Sequence, residues 1–443
     1  MGNQRVNVRF NIECASHTDV GLRRSHNQDA HAVLSATDPE QWQQRGHVFL
    51  VADGMGAHAV GELASKIAAD SIPHIYSKHV QDGPVAALRR AFVEANLTIH
   101  NRGQANREFA GMGTTATALV LRSDGAWVGH VGDSRCYRVR HGKIEQLSFD
   151  HSLLWELARR QKKSPDQIEN VPSNVIIRSL GPEALVQVDV EGPHPLLPGD
   201  VFILCSDGLS GPVDDRQIGA VAQSLPPADA ARMLVHLANM QGGPDNITAI
   251  VARVKDATPT AERRALARPK IFRKLILKGV WAVWGFAPWP LLFLGAGILL
   301  AALAIYRTSQ HRTDDMTVFL LAAVFLLSGV LGVIIHALKE KEESNKKEPE
   351  VRPLRVYRQM NCAIDLQMVQ EQCRTLTTLE NRVREMSWTV DWNECKHHMD
   401  RGKTFMEKGR FAEAYREHCQ ALLMLLDSLA INRSKEEAFR PLW

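Results

Sequence analysis

The sequence predicts an α+β fold for roughly its first 250 residues, followed by two apolar helical segments and an all-α carboxy-terminal region. Short β-rich runs alternate with amphipathic stretches, the pattern of strands and helices that pack on one another. The predicted strands are 114–121, 126–131, 201–206 and 247–254, and the predicted helices are 61–77, 84–106, 215–224 and 228–240.

Five aspartates lie in short motifs, most of them directly after an apolar run that predicts a buried strand. They are Asp29, Asp53, Asp133, Asp207 and Asp245. Burying an unpaired carboxylate is costly, so carboxylates repeatedly placed at strand ends require a compensating positive charge. Because no matching lysines or arginines accompany them, the pattern favours a hard divalent cation held by oxygen ligands.

Any single Asp-Gly pair is more typical of a turn than of a metal ligand. The ordered set of motifs, however, resembles the bacterial members of the metal-dependent, type-2C protein serine/threonine phosphatases over residues 14–254. The resemblance extends to the strings at 18–21, 112–117, 150–152, 174–181 and 245–248. It implies a phosphatase domain at 8–254, built as a four-layer α-β-β-α sandwich of two antiparallel sheets.

The resemblance also implies a centre of two or three Mn²⁺ or Mg²⁺ ions. Asp53 would bridge two ions, and the carbonyl group of Gly54 would complete the protein ligands of the second ion. Asp207 and Asp245 would hold the first ion. Asp133 would help to bind a third, weaker ion.

The catalytic residues that the resemblance implies are Arg24, Asp29 and Asp53. Arg24 would bind the substrate phosphate, which suits a planar guanidinium with a fork of donors, and Asp29 would orient the attacking water. Gln28 and Met55 depart from residues found in many relatives, but neither departure removes a metal ligand. The expected function is therefore hydrolysis of phosphoserine and phosphothreonine on proteins, opposing protein kinases at the membrane. The alternative is a catalytically weak, phosphatase-like membrane signalling scaffold.

Other phosphatase and hydrolase chemistries find no support in the sequence. Neither Cys136 nor Cys205 lies in a phosphate-binding Cys-x5-Arg loop, and both follow the apolar pattern of structural cysteines. No two of the 18 histidines have the helical spacing of a zinc hydrolase.

The stretch 152–163 and the loop through residue 173 correspond, in the resemblance, to a variable flap beside the active site. We expect His151 to fix the loop that precedes this flap. Four basic residues give the flap a solvated charged face or, as the second interpretation, a substrate-docking surface: Arg159, Arg160, Lys162 and Lys163.

The composition changes after Val254. A basic linker at 255–278 leads to the segment 279–338, which contains two uncharged stretches at about 289–306 and 316–338. The second has 23 residues, and a bilayer crossing needs roughly 20, so the segment predicts a transmembrane hairpin. Basic residues on both outer flanks predict that both flanks face the cytoplasm. We therefore expect a multi-pass inner-membrane protein with a cytoplasmic phosphatase domain and carboxy terminus.

The net charge of +4 fits these membrane flanks better than nucleic-acid binding, because no motif for base readout is visible. Residues 350–443 predict a cytoplasmic helical region whose arms are hinged at 408–410. A single tetratricopeptide-type repeat and a plain helical bundle packed on an upstream helix at 363–386 are the two interpretations. Either could bind a protein partner. About 240 residues is ample for an independent core, so we expect the phosphatase domain to fold without this region.

Overall fold

The fold is taken from a computed structural model, which describes residues 12–56, 59–172, 174–255, 289–309, 317–318, 320–331, 355–386 and 388–438 of the 443. The chain divides into two compact units. The first joins Met1–Thr258 with Val351–Trp443, and the second is Pro259–Glu350. The carboxy-terminal region therefore belongs to the same unit as the predicted phosphatase domain.

Two antiparallel sheets form the centre of the first unit. Its described strands are β1 (Ile12–Asp19), β2 (Asp29–Leu34), β3 (His47–Met55), β4 (Gly113–Thr114), β5 (Ala116–Arg122), β6 (Gly125–Val131), β7 (Arg135–Arg140), β8 (Lys143–Gln146), β9 (Asp189–His194), β10 (Val201–Cys205), β11 (Ile247–Val254) and β12 (Arg358–Asn361). One sheet has the order β1-β11-β10-β7-β8-β12. The other has the order β2-β3-β5-β6-β9, with β4 paired to β3.

The helices of the described residues lie mostly between these strands in sequence. They are α1 (Pro39–Gln44), α2 (Ala59–Lys78), α3 (Pro84–Ala105), α4 (Leu153–Gln161), α5 (Asp207–Ser210), α6 (Asp215–Ser224), α7 (Pro227–Met240), α8 (Trp289–Ser309), α9 (Leu366–Glu385), α10 (Trp392–Glu407) and α11 (Phe411–Ala438). The four helices predicted in the phosphatase domain correspond to α2, α3, α6 and α7, with ends shifted by a few residues.

Alternation of side chains along β3 and β10 separates the apolar layers. Phe49 of β3 and Phe202 of β10 point between the two sheets, where they share one buried cluster. Leu50 of β3 faces the other way, into a cluster with α2 and α3, and Ile203 of β10 faces a cluster with α6 and α7. This alternation follows from the period of two along a strand. It confirms the predicted sandwich of two antiparallel sheets with helices outside.

The carboxy-terminal region was predicted to be all-α, but the structure differs. This region contributes one strand, β12, to the first sheet. Arg358–Asn361 pairs antiparallel with Lys143–Gln146, so that β12 becomes the strand beyond β8. Two backbone bonds extend this pairing, one from Tyr357 N to Gln146 O at 3.0 Å and one from Cys362 N to Gly142 O at 2.8 Å.

Helices α9 to α11 then cover α6 and α7 on their outer side. Buried residues of all five helices belong to one apolar cluster. Polar contacts add to it: Arg216 pairs with Asp365 at 2.5 Å, and Asp427 pairs with both Arg232 and His236 at 3.0 and 2.9 Å. The structure thus differs from the expectation of a phosphatase domain complete at residue 254, since its sheet and its helical layer both continue after residue 350.

The hinge predicted at 408–410 separates α10 from α11. Gly409 has a φ of +69°, a left-handed conformation that glycine adopts without strain. The upstream helix predicted at 363–386 corresponds to α9, which is capped by the Asp365 carboxylate accepting from Met368 N. A protein partner for this region stays a prediction.

The second unit is described only at α8, 317–318 and 320–331, and the linker 256–278 lies outside the described residues. Within this unit the rings of Phe293 and Phe325 stack with centroids 5.2 Å apart. A helix must combine about 20 residues with nearly continuous apolarity to cross a bilayer. In the part of the chain that the structure describes, no helix meets both requirements. The transmembrane hairpin is therefore not supported, and the predicted multi-pass inner-membrane location is wrong.

A glycine on α6 tests the docking of the carboxy-terminal segment. A Cβ atom added at Gly219 would lie 2.7 Å from both Cβ and Sγ of Cys362, which is anchored by its own backbone bonds. We expect Gly219→Ala to lower the free energy of unfolding of the full chain by about 1–3 kcal/mol, because overpacking strains the contact. Urea denaturation measures this change.

The control for this prediction is Gln217→Ala on the same helix, which should change the stability by no more than about 0.5 kcal/mol. In a helix, alanine is more favourable than glycine by about 1 kcal/mol, so Gly219→Ala would not destabilise α6 by itself. A Gly219→Ala chain that is as stable as the unmodified protein would therefore show that Cys362 does not press on α6.

A candidate metal centre at the strand ends

Two of the predicted site aspartates face each other across β2 and β3. In the antiparallel register, Asp29 lies directly opposite Asp53. Directly opposed residues of an antiparallel pair project to the same side of the sheet, with Cβ atoms about 5 Å apart. Burial, and then the charges of Asp29 and Asp207, raise the pKa of Asp53 well above its ordinary value. The two carboxylates thus form the centre of an acidic cluster.

Asp207 joins the cluster from the end of β10. Ser206, between β10 and α5, donates its hydroxyl group to Oδ2 of Asp29 at 2.7 Å and accepts from Thr248 N at 3.0 Å. These bonds tie together the ends of strands β2, β10 and β11. Burial, and then the charge of Asp245, raise the pKa of Asp207.

Asp133 reaches the cluster from the end of β6, where its exposed fraction is 5%. The neighbouring Ser134 and Thr115 share a hydroxyl–hydroxyl bond of 2.8 Å. Thr115 Oγ1 in turn accepts from Asp53 N at 2.9 Å. Burial and then the charge of Asp207 raise the pKa of Asp133 to about 8.

The chemistry of this cluster fits a bound cation. Within the described residues, one carboxylate oxygen each of Asp29, Asp133 and Asp207 is buried without a hydrogen-bond partner. Burial, with added repulsion from Asp207 and Asp245, raises the pKa of Asp29 to about 7. Unpartnered buried carboxylate oxygens that repel one another are stabilised by a hard divalent ion, which prefers such ligands.

Asp245 is turned toward Arg24 rather than toward the other carboxylates. Nη2 of Arg24 donates to Oδ2 of Asp245 at 2.7 Å, and both side chains are partly exposed. In the described ranges, no group of three or more His, Cys, Asp or Glu side chains has an arrangement that could hold a metal ion. Arg24 thus supplies to Asp245 the positive charge that a cation would supply.

The backbone at Gly54 is packed so closely that no side chain fits there. A Cβ atom at this position would lie 2.2 Å from the carbonyl oxygen of Gly61 and 2.6 Å from that of Gln28. The amide of Gly54 donates to Gln28 O at 3.1 Å. The residue predicted to offer a carbonyl ligand therefore needs to be glycine for steric reasons.

Sequence reasoning assigned no role to the hydroxyl and amide groups that hold the carboxylates. Asn246 accepts from Gln28 N at 2.8 Å and donates to the carbonyl groups of Val20 and His26 at 2.8 and 2.9 Å. Together with Thr115 and Ser206, it fixes the backbone that carries the aspartates. Thr115 and Asn246 lie inside the family-like strings, which gave the only signal for them.

His151 fixes the loop that leads to α4. Its backbone amide donates to Gly132 O at 2.7 Å, and its Nδ1 accepts from Gly132 N at 3.0 Å. Burial lowers the pKa of His151, which keeps the ring neutral and able to accept this bond. The beginning of α4 is therefore bonded to the residue directly before Asp133.

Comparison with known proteins identifies relatives of this arrangement. The family described as protein phosphatase 2C matches residues 15–242, just over half of the chain. Protein phosphatase PhpP of Streptococcus pneumoniae serotype 2 is 34% identical over 253 residues, which are 55% of this chain and 98% of that protein. The serine/threonine protein phosphatase PstP of Mycobacterium tuberculosis is 33% identical over 248 residues.

The match with PstP covers 55% of this chain and 45% of that protein, so the chain spans less than half of the length of this relative. The crystal structure of the serine/threonine phosphatase Stp1 from Staphylococcus aureus aligns with a TM-score of 0.50 at 25% identity. This alignment covers 58% of the present chain and all of Stp1.

The raised pKa values predict how the stability of the cation-free protein depends on pH. Asp29 and Asp133 hold protons in the folded state up to about pH 7 and 8, whereas their ordinary value is 3.8. Because the folded state binds more protons in this range, its free energy of unfolding falls as the pH rises from about 4 to about 8. Denaturation in the presence of a chelator measures this slope.

Asp133→Asn removes one of the titrating groups and should make the slope shallower, as should saturating Mn²⁺. The exposed Asp70→Asn is the matched control and should leave the slope unchanged. A cation-free protein whose stability does not decline between pH 5 and pH 8 would contradict the description of the cluster as buried and repulsive.

Proposed function

This chain belongs to the protein phosphatase 2C family, and from that premise we propose that it hydrolyses phosphoserine and phosphothreonine monoesters on proteins. The observation that carries the proposal is the acidic cluster, in which three buried carboxylate oxygens among the described residues have no hydrogen-bond partner. A cluster of this kind, placed at strand ends beside a partly exposed arginine, suits metal-assisted phosphoryl transfer.

The proposed ligands of the Mn²⁺ or Mg²⁺ ions are the same residues that the sequence indicated. They are Asp53, the carbonyl group of Gly54, Asp133, Asp207 and Asp245. When bound, the ions supply positive charge to the phosphoryl oxygens and lower the pKa of a water toward neutrality. The opposed positions of Asp29 and Asp53 and the contacts of Ser206 and Thr115 support this assignment.

Asp29 is proposed to orient the attacking water. Its Oδ2 is occupied by the hydroxyl group of Ser206 at 2.7 Å, whereas its Oδ1 has no partner in the described structure. The carboxylate is therefore held by one oxygen and offers the other. The unpartnered oxygen can accept a hydrogen bond from the attacking water.

Arg24 is proposed to bind the phosphoryl group once Asp245 has turned toward a cation. The present pair occupies one Nη2 donor of the guanidinium, and the side chain of Arg24 is 51% exposed. An exposed pair of this kind contributes at most about 1 kcal/mol, so its exchange for a cation and a phosphate dianion costs little. The freed fork of donors matches two phosphoryl oxygens.

The catalytic proposal is tested with the full chain, a phosphothreonine peptide and Mn²⁺. We expect turnover that depends on Mn²⁺, and we expect Asp53→Ala to reduce kcat to the background because the ions lose their shared ligand. Asp207→Ala and Asp245→Ala should behave in the same way. Phosphate release measures the rates, and Asp70→Ala, an exposed position on α2, is the control.

The alternative function, a catalytically weak signalling scaffold, makes the opposite prediction. A folded chain that binds Mn²⁺ and shows no release of phosphate from the peptide would favour the scaffold. Near-normal rates in all three aspartate variants at saturating Mn²⁺ would instead remove the metal assignment.

Arg24→Ala should affect the substrate more than the metal. Loss of the guanidinium removes a phosphate ligand, so KM for the peptide should rise with a smaller fall in kcat. The affinity for Mn²⁺ should stay the same or increase by up to about fivefold, because Asp245 no longer has a competing partner. Thermal shift titration with Mn²⁺ measures that affinity. A large loss of Mn²⁺ affinity would contradict the proposed exchange of partners.

A further inference from the structure

A segment that follows residue 350 lies against the wall of the catalytic unit. We call residues 357–362 the strap. The strap consists of Tyr357, β12 and Cys362, and it reaches the catalytic sheet by the pairing of β12 with β8. The burial of β12 alternates, so that Arg358 and Met360 face the protein while Gln359 and Asn361 face solvent.

Arg358 of the strap bridges two acidic residues from different elements. Its Nη2 lies 3.2 Å from Oδ1 of Asp166, and its Nε lies 3.4 Å from Oδ2 of Asp215. Asp166 belongs to the turn Pro165–Gln167, which follows α4, and Asp215 begins α6. Arg358 therefore connects the end of the α4 segment to the body of the catalytic unit.

Tyr357 supports the beginning of the same segment. Its hydroxyl group donates to Glu191 of β9, and its ring packs edge-on against Phe149 with centroids 5.4 Å apart. Phe149 in turn packs edge-on against Trp155 of α4, with centroids 5.3 Å apart. The strap thus contacts the end of the segment 153–167 directly, through Arg358, and its beginning indirectly, through Phe149. Residues 153–167 lie within the stretch that the sequence assigned to the flap, and they form the flap of the structure.

The flap is attached to the acidic cluster on its other side. His151, two residues before the flap, exchanges two bonds with Gly132, which directly precedes Asp133. The outer face of the flap is basic, with Arg159 and Arg160 exposed at 65% and 72%. Both arginines pair with Glu156, so the flap keeps an excess of positive charge, which favours a phosphopeptide with acidic residues around the phosphate.

We propose that Tyr357 and Arg358 are positioning residues that hold the flap against the catalytic unit and thereby determine its preference for phosphoprotein substrates. The proposal rests on the proposed function, because it assigns the flap to the recognition of the polypeptide around the phosphate. The strap makes no contact with Asp29, Asp53 or Asp207 among the described residues, so it acts on the substrate through the flap. The strap is accordingly a support of the flap and not a part of the metal centre.

The activity test compares two substrates in the full chain, with Arg358→Gln as the variant. We expect kcat/KM for a phosphothreonine peptide to fall about two- to fivefold, mainly through a higher KM, which is the scale of a partly exposed ion pair. Hydrolysis of p-nitrophenyl phosphate should be unchanged, because this small ester lacks the polypeptide that the flap is proposed to recognise. The matched control is Gln359→Ala, the solvent-facing neighbour on β12.

A double-variant cycle separates the bridge from a general loss of structure. If the contact with Asp166 carries the effect, Arg358→Gln combined with Asp166→Asn should be no worse than either single variant. Arg358→Lys should restore part of the peptide activity, since lysine keeps the charge but cannot bridge two carboxylates. Equal loss for both substrates, or full additivity of the two variants, would overturn the proposal.

Hydrogen–deuterium exchange gives a readout that does not depend on activity. Arg358→Gln should increase exchange across residues 153–167 relative to Gln359→Ala, while exchange at β3 stays unchanged. If Arg358→Gln leaves exchange in the flap unchanged, the proposal that the strap holds the flap is overturned. If the variants show this exchange pattern but the unmodified chain hydrolyses neither substrate, the proposed function is refuted and the structural role of the strap stays intact.

Discussion

Mutual repulsion among buried carboxylates is the constraint on which the catalytic unit depends. Asp29 and Asp53 are fixed opposite each other by the register of β2 and β3, so neither can move away from the other. Ser206, which follows β10 of the other sheet, donates to the carboxylate of Asp29, and Thr115, between β4 and β5, accepts from the backbone amide of Asp53. These hydrogen bonds therefore hold negative charges close together. Such an arrangement is unfavourable unless a cation neutralises the charges. Such an arrangement is explained by chemistry at the site and not by stability.

Much of the first unit could be predicted because its signals are local. The run 48–52 is apolar and ends at an aspartate, and the structure shows a strand whose alternate side chains enter two different layers. The aspartates after such runs necessarily lie at strand ends, which is why their positions could be inferred without coordinates. The hydroxyl groups that hold them could not, because a serine or threonine next to a strand carries no distinctive pattern.

The elements that were missed depend on contacts between distant parts of the chain. Strand β12 reads Arg-Gln-Met-Asn, which has neither the β-branched residues nor the strong alternation of a predicted strand, and its partner β8 lies more than 200 residues earlier. Arg24 and Asp245 are 221 residues apart, so no local sequence pattern could predict their ion pair. The membrane expectation rested on counting apolar residues in sequence, and no helix in the described part of the chain is both long and apolar enough for a crossing.

The carboxy-terminal region belongs to the same compact unit as the acidic cluster. If residues after 350 formed a separate domain, the interface would be small and polar, as is usual between domains. Instead, Cys362 packs against Gly219 so closely that no additional carbon fits between them, and α9 to α11 share one apolar cluster with α6 and α7. Burial of this kind is the signature of a continuous core. The chain therefore leaves the catalytic sheet after β11, passes through the second unit and returns to complete the same sheet. The unit that carries the acidic cluster is therefore defined by the order of its strands in space and not by their order in sequence.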